Sequence, residues 1–86
     1  NSLTLNLPLE SYSTEIRQLA DRMVLELHET YPMYAPPYFA EVEKLYAEIL
    51  NAKPVENEVD AQLLLAKLGE VAIAVSLARQ RIESGV

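Results

Sequence analysis

The only histidine of this chain, His28, is followed at once by Glu29 and preceded two residues earlier by Glu26, and three more carboxylates, Glu41, Glu43 and Glu48, come further along. An imidazole among carboxylates is the raw material of a general base or of a metal site. Either use requires the groups to converge, and near neighbours along a helix do not face one another. With no second histidine and no cysteine to complete a ligand set, His28 reads as a cation near a helix C-terminus, interacting with the last carbonyls. The three glutamates read as a solvated helix face on which Glu41 and Lys44, or Lys44 and Glu48, pair across one turn. Acid–base catalysis needs a carboxylate held in a desolvated pocket, and a chain of 86 residues seldom encloses one. The expectation is a protein with no catalysis of its own, no cofactor and no metal.

A different chemistry is concentrated in TYPMYAPPYF, Thr30–Phe39, where three prolines and three tyrosines fall within ten residues. Prolines restrict the backbone before any partner arrives, and tyrosine offers a large amphipathic contact area at small entropic cost. Tyr31, Met33, Tyr34 and Tyr38 are therefore the candidate partner-binding residues. The competing reading is a stiff connector whose prolines end one helix and start the next while the tyrosines pack over the bundle end.

The elements that position these residues follow from periodicity. Leu3, Leu5, Leu7 and Leu9 alternate with Ser2, Thr4, Asn6 and Pro8, the pattern of an extended arm or strand over residues 1–10. From residue 13 the period lengthens. Ile16, Leu19, Ala20, Met23, Val24 and Leu27 draw one stripe along a helix over 13–30, capped by Ser11 or Ser13 and stopped at Tyr31 by Pro32. Pro36 and Pro37 prepare a second helix over 37–52 that buries Phe39, Val42, Leu45, Tyr46, Ile49 and Leu50. A third helix spans 57–84, from a cap near Asn57 to a stop at Gly85.

That third helix carries two apolar lines. Ala61, Leu64, Leu68, Val71, Val75, Ala78 and Ile82 step by threes and fours as a seam that packs on another helix. Leu63, Ala66, Ile73 and Leu77 occupy a different side, so the helix reads as buried from two directions. Half of the residues are hydrophobic, and a domain this small buries only about 60–65% of the surface of its unfolded chain. The surplus is expected to be covered by self-association or a partner. Leu64, Leu68, Val71, Val75 and Ile82 are accordingly the residues expected at a homodimer interface.

Two stretches resemble known families. LLAKLGEVAIAV, Leu64–Val75, is similar to the helix of all-α nucleotide pyrophosphohydrolases of the MazG type, which carries magnesium-binding glutamates. The resemblance covers about a dozen residues and implies a ligand role for Glu70 alone, since Val71 stands where the family has a second glutamate. LTLNLPLESY followed by IRQLA resembles the strand and first helix of ribbon-helix-helix DNA-binding regulators over the first quarter of the chain. It implies groove-facing roles for Ser2, Thr4 and Asn6, a face without arginine or lysine. The net charge of −6 opposes binding to a phosphate backbone.

The expected molecule is an all-α three-helix bundle with a long third helix and an N-terminal extended arm or strand, one domain over 1–86. Its expected role is that of a small acidic regulatory module, an adaptor, assembly chaperone or inhibitor that binds another protein and itself. No nucleic acid or membrane is expected as a partner. The start NSLTLNLPLE has no basic n-region and the most apolar run, Val71–Ala78, is well below the length of a bilayer span. A cytoplasmic location follows as the expectation.

Overall fold

The computed structural model describes residues 8–34 and 36–85. It contains three α-helices, α1 (Leu9–Thr30), α2 (Ala40–Leu50) and α3 (Glu58–Glu83), with a 3₁₀ turn at Pro36–Phe39 that runs directly into α2. Each helix packs on the other two, and no strand occurs among the described residues. The chain is thus the all-α three-helix bundle that its periodicities predict.

In α1 the apolar stripe reaches the core through Tyr12, Ile16, Ala20, Val24 and Leu27. The helix begins four residues before position 13, and neither Ser11 nor Ser13 caps it. Pro8 occupies the N-cap without a side-chain bond, and the Ser11 N–H donates to the Pro8 carbonyl at 2.9 Å. Burial accounts for the early start: Tyr12 lies in the core and Leu9 packs against it, so one more turn extends the stripe at helical spacing. The extended arm assigned to residues 1–10 therefore gives up Leu9 and Glu10 to α1, and its residues 1–7 lie outside the described part.

The second helical segment is shorter than 37–52 in its α-helical part, because the two prolines open it as a 3₁₀ turn before Ala40. Phe39, at the junction, is buried and anchors the turn to the bundle. Leu50, expected in the core, is 42% exposed. In α3 the Asn57 side chain accepts from the Asp60 N–H at 2.9 Å, the N-cap bond that satisfies one free donor of the first turn. At the other end Gly85 has φ +77°, a left-handed conformation that costs glycine little and lets the chain leave the helix.

The core is entirely apolar among the described residues, with Ile16, Leu27, Val42, Ile49 and Val71 its largest fully buried side chains. The molecule is nonetheless elongated. Its radius of gyration is 13.8 Å, against about 12 Å for a compact chain of this length. At about 1.5 Å per residue α3 runs for roughly 39 Å and α2 for only about 16 Å. α1 and α2 both pack on α3, and the side of α3 that carries Leu63, Ile73 and Leu77 is left without a covering helix.

Candidate interaction surfaces

The two apolar lines of α3 meet different fates. Leu64, Leu68, Val71, Val75 and Ile82, assigned from the sequence to a contact between chains, lie inside the single chain with none more than 8% exposed. The seam is covered by α1 and α2 of the same molecule, so it has no surface left to offer a second one. The line expected to be buried as well is the open one. Leu63 and Ile73 are each 62% exposed, Leu77 is 45% exposed, and Val59 extends the stripe by a turn at 68%. Val59 was not singled out in the sequence, although it lies four residues before Leu63 on the same face.

Between the end of α2, the segment that follows it and this face of α3 lies a groove of about 560 Å³, lined in part by Ala52, Lys53, Leu63, Ala66 and Glu70. Its wall is fixed by an ion pair across helices, Lys67 Nζ to Glu48 Oε1 at 2.5 Å, with Glu70 at 3.8 Å from the same ammonium. Glu48 thus pairs with α3 and not with Lys44 of its own helix. The hydrogen bond from Lys67 holds the Glu48 carboxyl below its ordinary pKa, and the bond to Glu48 raises that of Lys67. α3 is long and apolar enough to cross a membrane by length and composition only, as core helices of bundles also are, and 44% of its most apolar window is buried in the bundle. Lys67 and Glu70 interrupt its open side.

The second surface is the corner between α1 and α2. Tyr31 caps α1, its N–H donating to the Leu27 carbonyl at 3.1 Å, and its hydroxyl donates to the Glu83 carboxylate at the end of α3. Tyr34 is 40% exposed and meets the rings of Tyr31 and Tyr38 edge-on, at centroid distances of 6.0 and 5.1 Å. Met33 projects from the tip, 90% exposed. Tyr31 and Tyr38 are half-buried, packed against the core. Of the four candidate partner-binding residues, then, Met33 and Tyr34 present surface and the other two hold the corner in place.

His28 sits under this corner. Its Nε2 lies 2.6 Å from a Glu43 carboxylate oxygen, and its ring meets Phe39 edge-on at 4.7 Å. The imidazole therefore joins α1 to α2 through a carboxylate and not to the last carbonyls of its own helix. Glu43 is correspondingly a cross-helix partner. The adjoining pocket, about 280 Å³, is lined by His28, Tyr34, Pro36, Phe39 and Glu43. Among the described residues no three His, Cys, Asp or Glu groups come together to hold a metal, and Glu70 stands beside Lys67 instead of a second acid. Ser2, Thr4 and Asn6 lie outside the described residues.

Two tyrosine–carboxylate bonds tie the helices together and make a prediction. The hydrogen bond to Glu83 raises the pKa of Tyr31, and the bond to Asp21 raises that of Tyr46. A raised pKa in the folded state means that both bonds contribute stability below the ordinary tyrosine value of about 10. The contribution is lost as pH rises through the raised values. Spectrophotometric titration should show tyrosinate forming late, and Glu83→Gln should move one tyrosine back toward its ordinary range while the other stays.

Compared with protein-family models, with curated proteins and with solved structures, the chain matches none.

Proposed function

We propose that the protein is a small, non-catalytic protein–protein interaction module of regulatory type, working in the cytoplasm and docking its partner on the open face of α3. The observation that carries this reading is the stripe Val59, Leu63, Ile73 and Leu77. These four large aliphatic side chains, on one side of one helix, are each between 45% and 68% exposed. Isolated surface leucines are ordinary, but large aliphatics repeated along one helix face, broken only by Glu70 and covered by no helix of their own chain, are the feature that marks interaction sites. Lys67 and Glu70 beside the stripe favour a protein over lipid as its cover, because a charged pair at mid-helix is costly in hydrocarbon and acceptable at an interface rim.

The test uses two variants of the full chain. Leu63→Lys with Ile73→Lys changes two exposed side chains, so the variant should keep its helical circular dichroism spectrum and a cooperative melt. In-cell crosslinking of the wild type in its source should capture a protein, whether another polypeptide or a further copy. The double variant should lose that product. A wild type that crosslinks to nothing, itself included, would sink the reading.

A further inference from the structure

We infer that the occupant of the α3 face is a second copy of this chain, its α3 laid antiparallel across the first about a two-fold axis at the level of residue 68. The inference rests on the α3 face being a docking surface and names what docks there. The positions on that face are 59, 63, 66, 70, 73 and 77, occupied by Val, Leu, Ala, Glu, Ile and Leu. At about 100° per residue they fall within an arc of roughly 80°, and at 1.5 Å per residue they run for about 27 Å. Their steps of four and three are those of a coiled-coil seam.

Steps of 4, 3, 4, 3 and 4 read the same in both directions, so the stripe matches itself when reversed. Val59 then meets Leu77 of the second copy, Leu63 meets its Ile73, and Ala66 meets its Glu70. Large aliphatics oppose large aliphatics, and the one charged member falls opposite the smallest side chain. That leaves Glu70 room to reach Lys67 of the second copy, which is 41% exposed and 3.8 Å from its own Glu70. Around the axis each Lys67, already held by Glu48 of its own chain, then lies between Glu70 of both copies, so every Glu70 has a cation beside it. A parallel, in-register pair would instead stack Glu70 on Glu70 inside the seam, where like charges repel.

Charge distribution over the whole chain favours the same helix. Within α3 four acidic residues (Glu58, Asp60, Glu70, Glu83) face three basic ones (Lys67, Arg79, Arg81), leaving −1 of the net −6. The other −5 lies before α3, so two copies meet with least repulsion along α3. The groove beside Leu63 and Ala66 supplies the recess into which Ile73 of the second copy fits. Because each chain carries both the recess and the side chain that fills it, the contact closes as an isologous dimer.

Light scattering of the purified chain at low micromolar concentration should give twice the 9.7 kDa of one chain. Leu63→Lys with Ile73→Lys should give the single mass with an unchanged circular dichroism spectrum. Glu70→Lys, which would gather four cations at the axis, should weaken the dimer at least about tenfold. Direction is read from disulfides, since the chain has no cysteine of its own. Val59→Cys and Leu77→Cys proteins should crosslink when mixed and oxidised, and neither should crosslink alone. Self-crosslinking of either variant overturns the antiparallel arrangement. A monomeric wild type that still captures another polypeptide in cells overturns the second copy as occupant and leaves the docking face standing. A monomer that captures nothing removes both.

Discussion

Val71→Asp should abolish the cooperative thermal transition, while Ile73→Asp, two residues further along the same helix, should keep it, with Tm lowered only by what the loss of the second copy removes. Val71 is fully buried and Ile73 is 62% exposed. Removing the valine forfeits roughly 1.5–3 kcal/mol of apolar burial, and a carboxylate with no partner in an apolar core adds several kcal/mol more. Small domains have about 5–15 kcal/mol in all, and a core this size stands toward the lower end. Circular dichroism melts of the two variants check the contrast directly. Were Val71 an inter-chain contact, the aspartate would release a folded monomer. A folded, monomeric Val71→Asp protein would therefore contradict the placement of this seam inside one chain.

Phe39→Ala should be the most damaging truncation at the α1–α2 corner, at about 3–5 kcal/mol. Its ring is 3% exposed, anchors the 3₁₀ turn and meets the His28 imidazole edge-on. Alanine leaves a cavity under the turn and removes one side of the surroundings of the His28–Glu43 pair. For a chain of this length such a loss lowers Tm by at least roughly 12 °C. Tyr34→Ala is the comparison. Its ring is 40% exposed and its internal contacts are two edge-on aromatic pairs, so the cost should be about 1 kcal/mol. Equal losses of Tm in the two variants would mean that Tyr34 is as much a part of the core as Phe39.

How far a residue's surroundings could be read from the chain depended on how local their causes are. The buried stripe of α1, the proline stop at Tyr31 and the seam of α3 rest on spacings of three and four and on backbone restrictions within a few residues. Such patterns are written in any short window of sequence. The start of α1 at Leu9 is not written locally, because the gain from burying Tyr12 and Leu9 depends on what they pack against, which no window around Pro8 contains.

The open face of α3 shows the same limit at the scale that matters for function. Two lines of comparable hydrophobicity, one through Leu64 and Val71 and one through Leu63 and Ile73, run along one helix. Periodicity established that both exist. Only the packing of α1 and α2 decided which of them is core, because a helix has more girth than two neighbours can cover. The pairs His28–Glu43, Lys67–Glu48, Tyr46–Asp21 and Tyr31–Glu83 join residues 15, 19, 25 and 52 positions apart. No local spacing encodes these contacts. By itself the sequence determined three helices, an apolar core and more hydrophobic surface than one small chain can bury; the tertiary structure decided where the excess lies, since that follows from the lengths and crossings of helices and not from the pattern along any one of them.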